Sequence, residues 1–327
     1  MSDSAAHNHN AGVHSSLAVG EPEGSRSRAT IVGLIPVIIW GAALPACRVF
    51  QAHTGLFAYL AITFGMSGLI GVITQRMRRE PLPPAAVLRE PVLYYRGLFF
   101  ALHEALAITA AGMVSTQHLP LVILLNYFWP TAVILCSISL AGVHITRPWV
   151  FVAGTITVLG SLAIEMLGGE NLTLTESSSS SDLVAYGLVF IGAVSWGLYS
   201  ALSRRSGERS GGGKVVPYFQ LALAACAAGG FIVAPSVSVT SLEVFDIAML
   251  LIYSLFLWLS YLAWDHSMRR GNIVYVSLFA DFIPWLSLIV AAMIAGSPIT
   301  PLTVVSAITL VGGAILTRYG TVRRAAA

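Results

Sequence analysis

The sequence has few charged residues and little cysteine. Only 10% of its 327 residues are charged, against about 25% in a typical soluble domain. The three cysteines fall inside apolar runs without metal-ligand spacing, so neither a zinc site nor a disulfide scaffold is predicted. Hydrophobic residues make up 56% of the chain, and the mean hydropathy is +0.78. A soluble core cannot absorb that much apolar sequence, so the composition indicates a membrane protein.

Apolar runs long enough to cross a bilayer follow one another along almost the whole chain. A membrane-spanning helix needs about 20 residues. The ten runs that qualify lie at about 29–50, 55–75, 92–112, 118–141, 148–168, 183–204, 215–235, 245–267, 272–295 and 301–319. Polar tails at 1–28 and 321–327 flank them. The sequence therefore predicts an all-α membrane protein with ten transmembrane helices.

The basic residues predict the orientation. With the N-terminus in the cytoplasm, only Arg48 of the 18 Lys and Arg residues falls on the outer side. The predicted outer linker at 169–182 contains acidic residues and no basic ones. This alternation follows the positive-inside rule and places both termini in the cytoplasm. The basic pI of 8.8 therefore reflects topology, and nucleic-acid binding is not expected.

Two motifs recur in the second half of the chain at offsets that agree within two residues. The pairs are Trp40-Gly41 with Trp196-Gly197 and Phe128-Trp129-Pro130 with Phe282-Ile283-Pro284. Chance recurrence in aromatic, glycine-rich helices is the alternative. Duplication predicts one five-helix repeat at 29–168 and a second at 183–320. Because five is odd, the second repeat would be inverted, which is the architecture of many secondary transporters.

With these motifs the chain resembles the drug/metabolite transporter superfamily in its ten-helix form. Within the superfamily it is most similar to the bacterial aromatic amino-acid exporters of the YddG type. That closer similarity rests on the stretch Leu125–Pro130, the Tyr94–Gly97 start of the third span and the Trp258–His266 segment. The resemblance implies export of amino acids, aromatic ones preferred, across the bacterial inner membrane by alternating access around a central cavity.

Polar groups inside a bilayer are costly, so each is a functional candidate. His103 and Glu104 lie mid-way along the third span, Asn126 lies one turn before Pro130, and Asp281 lies three residues before Pro284. Each could bind substrate or form a hydrogen bond between helices. The predicted aromatic residues of the cavity are Trp40, Tyr95, Tyr127, Trp129, Trp258 and Trp285. The two prolines are predicted hinges, because a proline interrupts helical hydrogen bonding.

Trp149 and Trp264 fit the pattern of anchors at the membrane surface. An exporter of drugs or other metabolites with the same fold remains the alternative function. No nucleophile–base pair or metal set is recognisable, so an enzyme is not expected. The expected partners are an amino-acid substrate and the lipid bilayer, with no cofactor and a monomeric state. The sequence leaves open whether transport is coupled to protons.

Overall fold

The computed structural model describes residues 23–321 with gaps at 82, 84, 169–179, 207–210, 234–242, 271–275 and 277–278. Most of the two predicted tails and most of the predicted linker at 169–182 lie outside the described residues. Within the described part, every regular element is a helix. The helices are α1 (Glu23–Val32), α2 (Leu34–Thr54), α3 (Leu56–Met77), α4 (Ala85–Leu88), α5 (Pro91–Met113), α6 (Leu119–Asn126), α7 (Trp129–Leu140), α8 (Pro148–Gly168), α9 (Ser180–Ser206), a 3₁₀ turn (Gly212–Val215), α10 (Val216–Val233), α11 (Val244–Arg270), α12 (Ile283–Ala295) and α13 (Pro301–Tyr319).

Eight helical segments are long and apolar enough to cross a membrane. They are Ser27–Thr54, Leu56–Met77, Leu119–Leu140, Pro148–Leu167, Ser180–Ser206, Gly212–Val233, Asp246–Ser267 and Pro301–Tyr319. Large apolar side chains face outward on them, as Ile232 does with 80% of its surface exposed. A surface of this kind suits lipid and not water. The chain is therefore a multi-pass helical membrane protein.

Two predicted spans are not among these eight segments, and each has a physical reason. α5 has 23 residues, but Arg96, His103 and Glu104 lower its hydropathy. α12 has only 13 residues, and most of the apolar run before it lies outside the described residues. The count of ten spans therefore stays a prediction.

The prolines that were predicted as hinges follow breaks in their helices. α6 ends at Asn126, and α7 begins at Trp129 after a two-residue turn. Pro130 has no amide hydrogen to donate, and in a continuous helix its ring would clash with the carbonyl group of Asn126, four residues earlier. The helix therefore stops at Asn126. Proline is well tolerated in the first turn of a helix, and Pro130 lies in the first turn of α7. Pro284 likewise lies in the first turn of α12, after a turn that ends at Phe282.

A further proline, Pro45, lies inside α2 and frees a carbonyl group at the centre of the bundle. Pro45 cannot donate to the carbonyl oxygen of Gly41 one turn earlier. The hydroxyl of Ser287 on α12 donates to that oxygen instead, at 2.6 Å. The Tyr127 hydroxyl lies 2.9 Å from Ser287 Oγ and 3.1 Å from the carbonyl oxygen of Trp40. This buried network joins α2 to α12 and to the turn between α6 and α7.

Helices of the two predicted halves pack in matching pairs. α7 packs on α9, and α12 packs on α2. α3 packs on α10, and α8 packs on α13. If each predicted span corresponds to the span five places later, α2 corresponds to α9 and α7 corresponds to α12. The contact of α7 with α9 is then equivalent to the contact of α12 with α2. The α3–α10 and α8–α13 contacts each join two corresponding spans.

Gly41 and Gly197, one in each predicted half, lie at the contacts of α2 with α12 and of α9 with α7. A Cβ atom on Gly41 would lie 2.6 Å from Leu286 Cγ, and one on Gly197 would lie 2.7 Å from the carbonyl carbon of Ala132. Leu286 and Ala132 each lie two residues after the proline in the first turn of their helix. Both glycines therefore permit a helix to approach closely just after a proline break.

We expect the substitution Gly197→Ala to destabilise the protein. The atom that its new Cβ would meet belongs to the backbone of Ala132, so α7 and α9 must move apart. Overpacking of this kind costs about 1–3 kcal/mol. The thermal unfolding midpoint of the detergent-solubilised protein should fall clearly below that of the wild type.

Gly187→Ala on the same helix is the matched control, because a Cβ there meets nothing within 4 Å. Alanine is the better helix former, so the midpoint of this variant should stay constant or rise slightly. Equal midpoints for the two variants would contradict the tight contact at Gly197.

Candidate functional site

A small cavity lies at the centre of the bundle, where helices of both predicted halves meet. Its volume is about 60 Å³, which is room for a few water molecules and less than an aromatic amino acid needs. α2, α5, α6, α9 and α11 all contribute to its wall. Nearly half of the residues in the wall are aromatic, namely Trp40, Phe64, Tyr127, Trp129, Trp196, Tyr253 and Tyr261.

The aromatic rings of the wall contact one another edge to face or at a tilt. The ring centroids of Trp40 and Trp196 lie 5.8 Å apart with an interplanar angle of 86°. Trp129 lies edge-on to Trp196 at 6.3 Å, and the Tyr261 ring lies 5.7 Å from Trp40. Aromatic pairs favour such arrangements over face-to-face sandwiches. The rings therefore support one another and form one connected aromatic cluster.

Glu104 supplies the carboxylate of the cavity. It lies on α5, and the hydroxyl of Tyr261 on α11 donates a hydrogen bond to its Oε1. Among the described residues that line the cavity there is no Lys or Arg. An ammonium group that entered the cavity could therefore form a charge-assisted hydrogen bond with Glu104, which is stronger than a bond between neutral groups.

His103 joins α5 to α9 beside this carboxylate. Its Nδ1 lies 2.9 Å from the carbonyl oxygen of Gly192. A carbonyl oxygen only accepts hydrogen bonds, so Nδ1 carries the hydrogen and Nε2 is left for another partner. The imidazole centroid lies 4.7 Å from that of Trp196. His103 therefore positions the aromatic wall as well as lining the cavity.

Two buried polar atoms of the wall have no hydrogen-bond partner among the described residues. They are Oδ1 of Asn126 and Nε1 of Trp196, whose residues are 6% and 2% exposed. An unsatisfied buried polar group costs about 1–3 kcal/mol, so such groups are normally paired with protein, water or a ligand. One atom is an acceptor and the other a donor. An amino-acid zwitterion carries the two complementary groups.

The structure brings most of the predicted site residues together. Those that line the cavity are Trp40, His103, Glu104, Asn126, Tyr127 and Trp129. The others lie elsewhere: Tyr95 is 57% exposed near the start of α5, and Trp285 packs partly buried against the hydrophobic core. Trp258 lines a second chamber. Asp281 is 4% exposed, and its carboxylate accepts two hydrogen bonds from Arg318, each 2.9 Å long.

Several residues of the wall were not among the predicted site residues. Trp196 repeats Trp40 in the second half, so the repeat itself could have identified it. Tyr253, Leu257 and Tyr261 follow one another at four-residue spacing and share one face of α11. That helix is apolar on all sides, so its sequence does not tell which face is turned inward.

The two tryptophans that were predicted as membrane-surface anchors differ in their environment. Trp149 is 86% exposed, as an anchor should be. Trp264 instead packs into the aromatic cluster, with its ring centroid 5.1 Å from that of Trp40.

A larger chamber of about 540 Å³ lies beside the central cavity. The end of α3, the 3₁₀ turn with the start of α10, and the end of α11 form it. Its wall carries charges of both signs on Arg78, Glu80, Lys214 and Asp265. Tyr261 lines this chamber as well as the central cavity. Tyr261 is therefore the residue that the described walls of the two spaces have in common.

The chain is similar to known exporters of aromatic amino acids. No family model matches the chain. It is 26% identical over 277 residues to the aromatic amino acid exporter YddG of Salmonella typhimurium, covering 84% of this chain and 90% of the exporter. The chain resembles the YddG-type exporters of the drug/metabolite transporter superfamily. The resemblance predicted from the sequence is thereby confirmed.

Two further matches span nearly the whole chain. The YddG exporter of Escherichia coli is 25% identical over 300 residues, which cover 89% of this chain and 97% of that exporter. A solved crystal structure of a protein 25% identical to this chain superposes with a TM-score of 0.65. That match covers 92% of this chain and 99% of the other.

Proposed function

We propose that the chain is a secondary transporter that exports amino acids, aromatic ones preferred, across the bacterial inner membrane by alternating access. The observation that carries this proposal is the central cavity, which combines an aromatic wall with a carboxylate and an unpaired donor and acceptor. Both YddG relatives are named as exporters of aromatic amino acids. Their names support a transporter over an enzyme.

The proposed architecture is ten transmembrane helices in two inverted five-helix repeats, with both termini in the cytoplasm. α5 and the segment that ends with α12 would supply the two spans beyond the eight apolar ones. The exchange of the α7–α9 and α12–α2 contacts supports the repeat. Gly41 and Gly197 support it further, because each meets a residue two positions after a proline of the other half. In such transporters the substrate site lies where the repeats meet, near the membrane midplane.

The groups of the cavity suggest how a substrate is held. The substrate ammonium binds the carboxylate of Glu104 and the Asn126 carbonyl oxygen, both of which accept hydrogen bonds. The indole N–H of Trp196 donates to the substrate carboxylate. An aromatic side chain stacks on the neighbouring rings, which adds about 0.5–1.5 kcal/mol beyond the burial of its surface.

The small volume of the cavity implies a cycle with a closed state. A space of about 60 Å³ does not admit an aromatic amino acid, so the two halves must move apart on one side of the membrane for such a substrate to bind. Pro130 and Pro284 are the proposed hinges, because the helices are already interrupted there and no helical hydrogen bond must break.

Flux measurements in proteoliposomes test the proposal. Purified protein should transport radiolabelled phenylalanine, tyrosine or tryptophan faster than protein-free liposomes do, and faster than it transports alanine or glutamate. Transport of aromatic amines without any amino-acid flux would favour a drug or metabolite exporter of the same fold. Repeating the assay with an imposed pH gradient decides the coupling. Flux that ignores the gradient would exclude His103 and Glu104 as carriers of a coupling proton.

A further inference from the structure

We infer that the larger chamber is an entry site, where a zwitterionic amino acid binds from the cytoplasm before it reaches the central cavity. This inference rests on the proposed function and orientation. The positive-inside rule places the chamber on the cytoplasmic side, since Arg78 and Lys214 belong to predicted cytoplasmic segments. For an exporter, that is the side from which substrate arrives.

The wall of the chamber matches the three parts of an aromatic amino acid. Lys214 can bind the carboxylate, Asp265 can bind the ammonium, and Trp258 offers a ring face to the side chain. The volume of about 540 Å³ admits an amino acid together with part of its hydration shell, so binding there needs no prior movement of the helices. The central cavity, in contrast, must first expand.

The ion pair between Lys214 and Glu80 in the chamber is weak, which suits a site of first contact. Lys214 Nζ lies 3.8 Å from Glu80 Oε2, and their side chains are 42% and 31% exposed. Partly exposed ion pairs contribute only about 0.2–1 kcal/mol. A substrate carboxylate can therefore replace Glu80 as the partner of Lys214 without a large penalty.

Tyr261 connects this entry site to the central cavity. Its side chain lines both spaces, and its hydroxyl donates to Glu104 on the far side. When the tyrosine turns away, the Glu104 carboxylate loses that donor and the substrate ammonium takes its place. Passage of the substrate from the entry site to the central cavity is thus coupled to loss of the hydrogen bond between Tyr261 and Glu104.

Substrate protection of an introduced cysteine tests the entry site. Thr74 lines the chamber, so a Thr74→Cys variant can be labelled by a membrane-impermeant thiol reagent in inside-out membrane vesicles. The wild type, with buried Cys47 and the other native cysteines, gives the background labelling. Tryptophan should slow labelling of the variant, whereas tryptamine and indole-3-propionate, which each lack one charge, should slow it less.

Second variants separate the entry site from the central one. Protection should persist in Thr74→Cys/Glu104→Gln, because the entry site does not use Glu104. In Thr74→Cys/Lys214→Gln the half-protecting concentration should rise about two- to fivefold, the range for one exposed charge pair. Arg89→Gln, which removes an exposed cation outside the chamber, is the matched control and should leave protection unchanged.

Each alternative outcome is decisive. Protection that disappears in the Glu104→Gln background would show that binding in the central cavity closes the chamber, and the entry site would be overturned. Amino-acid flux without any protection would also overturn it and leave the proposed function intact. Absence of flux in Thr74→Cys and in the wild type would instead contradict the proposed function.

Discussion

Glu104→Gln is expected to lower amino-acid transport more than any other single change in the cavity. Glutamine keeps the size of the side chain and an acceptor for Tyr261 but removes the charge that would hold an ammonium group. A hydrogen bond to a charged group contributes about 1.5–3 kcal/mol, which corresponds to about 10- to 150-fold in affinity. Flux of tryptophan at a concentration well below half-saturation should fall by the same factor.

Glu165→Gln is the matched control for that experiment. Glu165 is also a buried glutamate on a membrane helix, 7% exposed, and its Oε1 accepts a 2.7 Å hydrogen bond from the hydroxyl of Thr303. It does not line the central cavity, so its transport should stay near the wild-type rate. If both variants lose transport equally, the loss reflects destabilisation of the fold and Glu104 is not the ammonium site. A normal rate for Glu104→Gln would refute that role directly.

Asp281→Leu is expected to cause the largest loss of stability. Asp281 and Arg318 form a buried, bidentate pair whose side chains are 3% and 11% exposed. Removal of one member leaves the other charge buried without its partner, which costs about 3–5 kcal/mol. The free energy of unfolding, measured by denaturant titration in mixed micelles, should fall by that amount.

The double variant Asp281→Leu/Arg318→Met distinguishes a structural pair from a substrate site. Replacement of both members of a buried pair by apolar residues is often neutral, so the double variant should regain most of the stability and with it the transport. A stable double variant without transport would show that Asp281 acts on the substrate or on a proton, as the sequence allowed.

The sequence predicts the helical membrane fold well, because apolar length and basic loops are direct physical requirements of a bilayer. The span of α5 is harder to recognise by hydropathy, since Arg96, His103 and Glu104 are polar residues in a largely apolar helix. The same polar residues indicate that α5 contributes to the functional site. The interruption before Pro130 is predictable from proline chemistry, whereas the pairing of Gly41 with Leu286 depends on how the halves dock.

The site is predictable from the sequence only in part, because its composition also depends on how the helices pack together. His103 and Glu104 stand out because ionisable groups are rare in membrane helices. Asp281 is equally recognisable as a charged residue within an apolar run. Its partner Arg318 lies at the end of another helix, where the sequence alone assigns it to the cytoplasmic charges that set the orientation. Aromatic residues are less informative still. Both lipid-facing and inward-facing rings satisfy the hydropathy pattern, so Trp258 and Tyr261 cannot be assigned to their spaces before the helices are packed.

The small volume of the central cavity also bears on how the cell conserves energy. A bacterium stores its respiratory work as a proton gradient, and an unbroken file of water through a membrane protein would conduct protons and dissipate it. Apolar constrictions interrupt such files by excluding water. In the proposed transport cycle, the rings around the space of about 60 Å³ would interrupt the file of water in the closed state. We expect that state to conduct no protons while no substrate is present.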